Sequence, residues 1–186
     1  MKQIVRRKPC ADPLYPSRRI ACCAFTGYRP QKMPFGFDET DERCLDFKRR
    51  LHDTIEMLIW QGYSHFISGG ALGMDMFAAE AVIKFREQYP WIALEIAIPY
   101  ENQDSAWEKT YQQRYRDILA SADILTYVSH QYTKGALFSR NRYMVNNADL
   151  LLAAYDGQPG GTQMTCDYAR KQGIDICYIR PVIHAG

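Results

Sequence analysis

The stretch SGGALGMD, residues 68–75, combines three glycines with the acidic residue Asp75. Glycine lets the backbone adopt positive φ and lets a ligand approach main-chain N–H groups without a Cβ in the way. When a helix begins behind such a turn, its unpaired N–H groups and partial positive charge attract phosphate. The stretch therefore predicts an anion-binding turn with a carboxylate beside it.

Three further stretches carry related chemistry. TGYRP, residues 26–30, and GQPGGT, residues 157–162, each follow an apolar run and contain glycine. SRNR, residues 139–142, offers two guanidinium groups that can clamp phosphate and an amide that both donates and accepts hydrogen bonds. Each stretch also has a plain structural explanation, because tight turns need glycine and the start of a surface helix carries solvated charges.

Asp75 and Glu80 are the candidate catalytic carboxylates. A carboxylate in the first turn of a helix stabilises that helix without any ligand. If phosphate occupied the same N-terminus, two anions would repel, so Asp75 would then face a ribose hydroxyl, a base amino group, a water or a cation. Tyr100 follows the apolar run that ends at Pro99 and is a candidate for stacking on a base, with core or rim packing as the alternative.

Short apolar runs alternate with helical patterns along the chain. The runs predict strands at residues 20–25, 65–68, 92–99, 124–128, 150–155 and 174–179. The periodic segments predict helices at about residues 40–61, 72–88, 105–119, 142–147 and 162–172. Strands that are continuously apolar and alternate with helices predict a single Rossmann-like three-layer αβα sandwich with a mostly parallel sheet of about six strands. Ligands of such sheets collect at the carboxyl ends of the strands, where the glycine stretches lie.

Two local patterns refine this prediction. Ser105-Ala-Trp-Glu108 has the form of a capping box and predicts the start of the third helix. Trp107, Tyr111 and Tyr115 recur at four-residue steps. This spacing favours packing in the core over a surface on which nucleic-acid bases stack.

Composition limits the classes of protein. The 186 residues suit one domain, and 47% hydrophobic with 24% charged residues is typical of soluble globular proteins. No stretch reaches the roughly 20 apolar residues of a membrane span, and the N-terminus lacks the apolar core of a secretory signal. We therefore expect a cytoplasmic protein without membrane partners.

Basic residues cluster near the N-terminus, which predicts a poorly ordered extension over residues 1–18 ahead of one domain over residues 19–183. A nucleic-acid-binding arm is the alternative for this extension, but a net charge of +2 does not point to nucleic acid. The six cysteines form no CxxC pair and the four histidines are scattered, which predicts buried free thiols and no metal site. The sequence indicates no definite cofactor and leaves a nucleotide-derived ligand as the candidate.

The familiar nucleotide fingerprints do not fit the glycine stretches. GxGxxG would need glycine at position 68, where Ser68 stands, and should follow the first strand rather than the second. GxxxxGK[ST] does not occur, which argues against a P-loop NTPase.

The ordered stretches together resemble the SMF/DprA–LOG superfamily, known as SLOG. ISGGALGMDMFAAE resembles its strand-turn-helix signature SGxAxGxD, and the segment from SRNR to PGGT resembles its second block. The opening TGYRP and the later PGGT are most similar to the YpsA family within it. The resemblance covers roughly residues 20–180. It implies a Rossmann-like fold and a nucleotide-derived ligand at the strand ends.

The resemblance and the chemistry of the turns together predict a set of ligand-binding residues. They are Thr26, Gly27, Tyr28, Arg29, Ser68, Gly69, Gly70, Ala71, Gly73, Asp75, Tyr100, Arg140, Asn141, Gly160, Gly161 and Thr162. The expected partner is a small nucleotide or nucleotide-sugar, similar to ADP-ribose or NAD, and the expected role is binding or sensing by a monomer or homodimer.

Two alternatives stay open, so the sequence does not decide whether the protein is an enzyme. The first is hydrolysis of an N-glycosidic bond, as the resemblance to LOG-type phosphoribohydrolases implies. The motif of those enzymes looks like PGGxGTxxE. In this chain Gly161 is followed directly by Thr162, without the intervening residue and the further glycine, and Thr165 and Cys166 stand where the glutamate is expected. The second is a DprA-like module that binds single-stranded nucleic acid, although such proteins are usually longer.

Overall fold

The computed structural model describes residues 11–12 and 15–181. Two short strands, β1 (Ala11–Asp12) and β2 (Tyr15–Arg19), pair antiparallel. The main sheet consists of β3 (Ala21–Gly27), β4 (Tyr63–Ser68), β5 (Ala93–Ile98), β6 (Ile124–Tyr127), β7 (Leu150–Ala154) and β8 (Asp175–Ile179). The helices are α1 (Glu42–Trp60), α2 (Met74–Phe85), α3 (Lys109–Ser121), α4 (Ala136–Asn146) and α5 (Gly161–Lys171), with a 3₁₀ turn at Pro30–Lys32.

The main sheet has the strand order β6-β5-β4-β3-β7-β8, and every neighbouring pair is parallel. Successive strands run outward on one side from β3 to β6, and the chain then returns to place β7 on the other side of β3. This reversal opens a crevice at the carboxyl ends of β3 and β7, where open α/β sheets bind ligands.

Helices cover both faces of the sheet. α1, α2 and α3 pack on one face, and α4 and α5 pack on the other. The central strands are buried on both sides, so that Leu151, Leu152 and Ala153 are fully enclosed. The structure therefore confirms the predicted Rossmann-like three-layer sandwich with six parallel strands.

The third helix begins differently from the prediction. The capping box at Ser105 and Glu108 is absent, because α3 begins at Lys109 and the Glu108 side chain makes no capping hydrogen bond. The side-chain amide of Gln112 instead donates to the carbonyls of Asp104 and Trp107 at 3.3 and 3.0 Å. These bonds tie α3 to the loop before it, but they do not cap its first N–H groups, because the Gln112 amide donates here and a cap has to accept.

α4 begins at Ala136, ahead of the predicted residue 142. Met144 and Val145 pack in the core cluster between α4 and the sheet, and Ala136 is buried at the other end of the helix. Arg140 consequently lies inside a helix and not in the loop before one.

Glu95 in β5, the neighbour of the edge strand β6, is a buried carboxylate, 4% exposed. It is hydrogen-bonded to Nε2 of His65 at 2.8 Å and accepts from the hydroxyls of Thr126 at 2.6 Å and Tyr143 at 2.7 Å. Burial by itself raises the pKa of Glu95, but these bonds outweigh burial and hold the pKa below its ordinary value. Since Tyr143 belongs to α4, the carboxylate anchors that helix on the sheet.

Other predictions from the sequence concern the ends of the chain, the cysteines, metal binding and membrane spans. Residues 1–10, 13–14 and 182–186 lie outside the described residues, so the nature of the extension over residues 1–18 and the end of the domain at residue 183 stay predictions. Within the described residues, Cys22, Cys23, Cys44 and Cys166 are buried free thiols and Cys177 is half-buried. Over residues 11–12 and 15–181 we find no cluster of metal ligands and no helix long and apolar enough to cross a membrane.

We expect Glu95→Ala to lower the free energy of unfolding by about 3 kcal/mol, because it leaves the hydrogen-bonding groups of His65, Thr126 and Tyr143 without their buried partner. Glu95→Gln keeps the shape and part of the bonding, so its loss should be about half of that. Urea denaturation followed by circular dichroism measures both. Equal stability of Glu95→Ala and the parent protein would contradict an anchoring role.

The same carboxylate predicts a pH dependence. Because its folded-state pKa is lowered, its contribution to stability is complete above the ordinary value of 4.5 and is lost as pH falls through the folded-state pKa. The stability difference between the parent protein and Glu95→Gln should therefore shrink on acidification below about pH 4.5.

Candidate functional site

A cavity of about 340 Å³ opens at the crevice between β3 and β7. The end of β3, the turn after it, the β4–α2 turn, α4 and the first turn of α5 form its walls. From the predicted set, the lining residues are Thr26, Gly27, Tyr28, Arg29, Ala71, Asp75, Arg140, Asn141, Gly160, Gly161 and Thr162. The other lining residues, which the sequence did not indicate, are Phe25, Gln31, Lys32, Leu72 and Leu137.

The glycines of the β4–α2 turn make room for neighbouring side chains. A Cβ added at Gly69 would lie 0.9 Å from Nη1 of Arg140. The Ser68 hydroxyl donates to the carbonyl of Asp75 at 2.7 Å and accepts from the Gly70 N–H at 3.1 Å. Neither Ser68 nor Gly69, Gly70 or Gly73 lines the cavity. These residues shape the turn itself, and Gly69 leaves room for the Arg140 guanidinium, which comes from α4.

Arg140 and Asp75 form a buried ion pair on the cavity wall. Nη1 of Arg140 lies 3.0 Å from Oδ2 of Asp75, and the two side chains are only 6% and 10% exposed. The same carboxylate oxygen faces the Ala71 N–H at 3.4 Å. Nε of Arg140 is buried and has no hydrogen-bond partner among the described residues. At the N-terminus of α2, the N–H groups of Met74 and Met76 bond to the carbonyls of Tyr28 and Ala71, at 3.3 and 3.2 Å. Asp75 lies in the same first turn, so a phosphate there would compete with these carbonyls and with the carboxylate for their partners.

The N-terminus of α5 differs from that of α2, because its first turn contains no acidic residue, and no side chain caps it. Gly160 adopts φ +146°, and Lys32 lies directly over it: a Cβ added at Gly160 would be 2.7 Å from Nζ. Nζ of Lys32 donates to the Pro159 carbonyl at 2.6 Å. Uncapped N–H groups, the positive end of the helix dipole and an ammonium group thus meet at one point, which is the chemistry of an anion site.

Asn141 connects α4 to this turn. Its amide donates to the Thr165 hydroxyl at 2.8 Å, and that hydroxyl donates to the Gly161 carbonyl at 2.9 Å. The residue predicted to contact a ligand directly is thus engaged in holding the first turn of α5 against α4.

Tyr28 joins the turns around the cavity. Its hydroxyl donates to Oδ1 of Asp156 at 2.5 Å and accepts from the Gln158 N–H at 3.2 Å, while its carbonyl accepts from the Met74 N–H at 3.3 Å. Burial, followed by the bond to Asp156, raises the pKa of Tyr28 to about 12, so the hydroxyl is a neutral donor at physiological pH. Tyr28 is thus bonded both to the loop after β7 and to the first residue of α2, which fixes this wall of the cavity.

Two predicted residues lie elsewhere. The Glu80 carboxylate is bonded to the Arg114 guanidinium at 2.5 and 2.7 Å, and Glu39 binds the same guanidinium. The Tyr100 ring stands edge-on to Tyr132 with ring centres 5.1 Å apart. Neither Glu80 nor Tyr100 lines the cavity.

Lys32 is the functional candidate that sequence analysis missed. It lies five positions after Gly27, in the 3₁₀ turn at Pro30–Lys32, outside the glycine stretches. A search for basic residues just beyond each glycine turn would have included it. Its place over Gly160, however, depends on a contact between segments more than 120 residues apart in the chain.

Comparison with known proteins places the chain among bacterial relatives. The YpsA family model, described as the YspA SLOG family, matches residues 23–181. A UPF0398 protein of Halalkalibacterium halodurans is 31% identical over 163 residues, covering 84% of this chain and 86% of the relative. A UPF0398 protein of Bacillus pumilus is 33% identical over 142 residues, covering 75% of each.

Two solved structures share the fold. DNA processing protein A from Helicobacter pylori, described for its single-stranded DNA binding mode, matches 85% of the chain with a TM-score of 0.58 and 18% identity. DNA processing protein A from Streptococcus pneumoniae matches 86% with a TM-score of 0.59 and 18% identity. The chain spans 64% and 50% of the lengths of these two structures.

We expect Gly69→Ala to lower the free energy of unfolding by about 3 kcal/mol, because its methyl group displaces the Arg140 guanidinium and leaves Asp75 buried without its partner. Gly161→Ala is the matched control, since nothing lies within 4 Å of a Cβ added there, and it should change stability by less than about 0.5 kcal/mol. Chemical denaturation compares the two. Similar losses in both variants would contradict the close approach of Arg140.

Proposed function

The chain belongs to the YpsA SLOG family, and we propose that it binds a nucleotide or nucleotide-sugar, such as ADP-ribose or NAD, in the cavity between β3 and β7. Binding without turnover suits a sensor or carrier of such a ligand. The anion site at the start of α5, with Lys32 over Gly160, is the observation that carries this proposal.

The phosphates of the ligand occupy the α5 turn. Lys32 lies beside this turn through its bond to the Pro159 carbonyl, and Thr162 adds a hydroxyl in the first turn of the helix. Arg29 also lines the cavity. Lys32 can exchange its bond to the Pro159 carbonyl for a charge-assisted bond to phosphate oxygen, which is the stronger of the two. Arg29 is exposed and therefore free to follow a second phosphate.

The opposite end of the cavity suits a ribose. The Arg140–Asp75 pair is neutral as a whole, yet it presents donors and an acceptor side by side, which matches vicinal hydroxyl groups better than a second phosphate. Phe25, Leu72 and Leu137 supply apolar surface for a base. A volume of about 340 Å³ lies within the range of small-molecule sites.

We do not propose hydrolysis of an N-glycosidic bond. The Asp75 carboxylate is bound by Arg140 and the Ala71 N–H, and Glu80 lies outside the cavity in an ion pair with Arg114. Neither carboxylate is free to stabilise positive charge on a sugar. For nucleic-acid binding, the likeness to the DNA processing proteins at 18% identity supports only a common fold.

We expect ADP-ribose, NAD or a nucleoside phosphate to bind, and Lys32→Met to weaken that binding about tenfold to a hundredfold, because a charge-assisted bond to phosphate is removed. Lys134→Met is the control, since Lys134 is exposed and outside the cavity, and it should leave the affinity unchanged. Isothermal titration calorimetry gives the dissociation constants.

Two outcomes would contradict the proposal. One is the absence of binding by every member of that ligand panel, and the other is an affinity that Lys32→Met and Lys134→Met change equally. Chromatography of the same mixtures for released base addresses hydrolysis, and release that disappears in a folded Asp75→Asn variant would establish the enzyme instead.

A further inference from the structure

A second cavity, of about 380 Å³, opens at the carboxyl ends of β5 and β6 beside α3. Its lining residues are Ile98, Glu101, Asn102, Asp104, Tyr115, Arg116, Leu119 and Tyr127. It shares no lining residue with the cavity between β3 and β7. The two cavities lie on opposite sides of the β4–α2 turn, since Gln103 donates to the Gly69 carbonyl and the Tyr115 ring packs against Gly70.

Tyr115 provides a buried donor on the wall of this cavity. The residue is 3% exposed, and its hydroxyl accepts from Nε2 of Gln103 at 2.6 Å. Because the same nitrogen donates to the Gly69 carbonyl at 3.3 Å, the Gln103 amide is oriented as the donor. Burial raises the pKa of Tyr115 to about 12, so the hydroxyl keeps its proton. That proton has no acceptor among the described residues, and a buried donor normally has one.

Charged groups of both signs line the same cavity. The Asp104 carboxylate has no hydrogen-bond or ion-pair partner among the described residues, and it is half-buried. Glu101 is paired with the exposed His130 at 2.9 Å. Arg116 donates to the side-chain carbonyl of Gln112 at 3.1 Å, which uses one of its five N–H groups. The cavity thus offers acceptors for a cation and donors for an anion.

We propose that this second cavity binds a small zwitterion, a free α-amino acid with an apolar side chain. Asp104 and Glu101 take the ammonium group, and the Tyr115 hydroxyl and Arg116 take the carboxylate. Ile98, Leu119 and Tyr127 contact the side chain of the ligand. A simple amine would leave the Tyr115 proton without an acceptor, and a simple carboxylate would meet the uncompensated charge of Asp104.

Isothermal titration calorimetry with leucine, methionine and phenylalanine tests this proposal, with aspartate, lysine, acetate and methylamine as comparison probes. We expect saturable binding of at least one apolar amino acid, and binding at least about tenfold weaker for each comparison probe. Tyr115→Phe removes only the hydroxyl and Asp104→Asn removes only the charge. Each should weaken the binding about tenfold or more. Tyr132→Phe is the matched control, because Tyr132 is 69% exposed and outside the cavity.

Thermal unfolding of each variant shows whether it is folded, and only folded variants are compared. Lack of binding by all three apolar amino acids would overturn the proposal, as would binding that survives unchanged in folded Tyr115→Phe and Asp104→Asn. Equal or tighter binding of methylamine or acetate would show that the cavity binds a simple cation or a simple anion, and would also overturn the proposal. Lys32→Met should leave amino-acid binding intact, which separates this site from the proposed nucleotide site.

Discussion

The buried ion pair between Arg140 and Asp75 is the contact on which the arrangement of the site depends. Separating two buried charges leaves each without its partner, which is costlier than the pair is stabilising, so the contact fixes α4 relative to the β4–α2 turn. Gly69 makes it possible, because any side chain there would occupy the position of the guanidinium. A glycine that suggests phosphate binding when met in the sequence therefore serves an arginine from a distant helix.

This pair separates two helix N-termini that otherwise look alike. The α2 terminus has Asp75 in its first turn, and its N–H groups at Met74 and Met76 bond to backbone carbonyls. The α5 terminus has no acidic residue in its first turn and lies under the ammonium of Lys32. This difference between two helix N-termini gives the cavity a direction, because an anion is better accommodated at α5 and neutral hydroxyl groups suit the ion pair of Arg140 and Asp75. The nucleotide proposal rests on that direction, and the family assignment is consistent with it.

The buried carboxylate of Glu95 in β5 supports the same arrangement from within the sheet. Glu95 would be costly in the middle of a parallel sheet if it were unpaired, but it bonds to His65, Thr126 and Tyr143 from three neighbouring elements. Through Tyr143 it holds α4, and α4 in turn carries Arg140 into the cavity. One helix, α4, thus connects the buried carboxylate of Glu95 to the guanidinium of Arg140 at the site.

Local pattern alone determined the six strands, the helices between them and the edge of the sheet at which the glycine turns meet, since burial on both faces and helical periodicity are recorded in consecutive residues. Together with the resemblance to the SLOG superfamily, the chemistry of the turns also identified most of the residues that line the cavity. Only the tertiary structure decided that Glu80 and Tyr100 lie elsewhere, that Ser68 and Gly69 shape the turn and that Lys32 covers Gly160. Those outcomes depend on which distant segments touch, and contact between distant segments follows from how helices pack on the sheet, which no short stretch of sequence specifies.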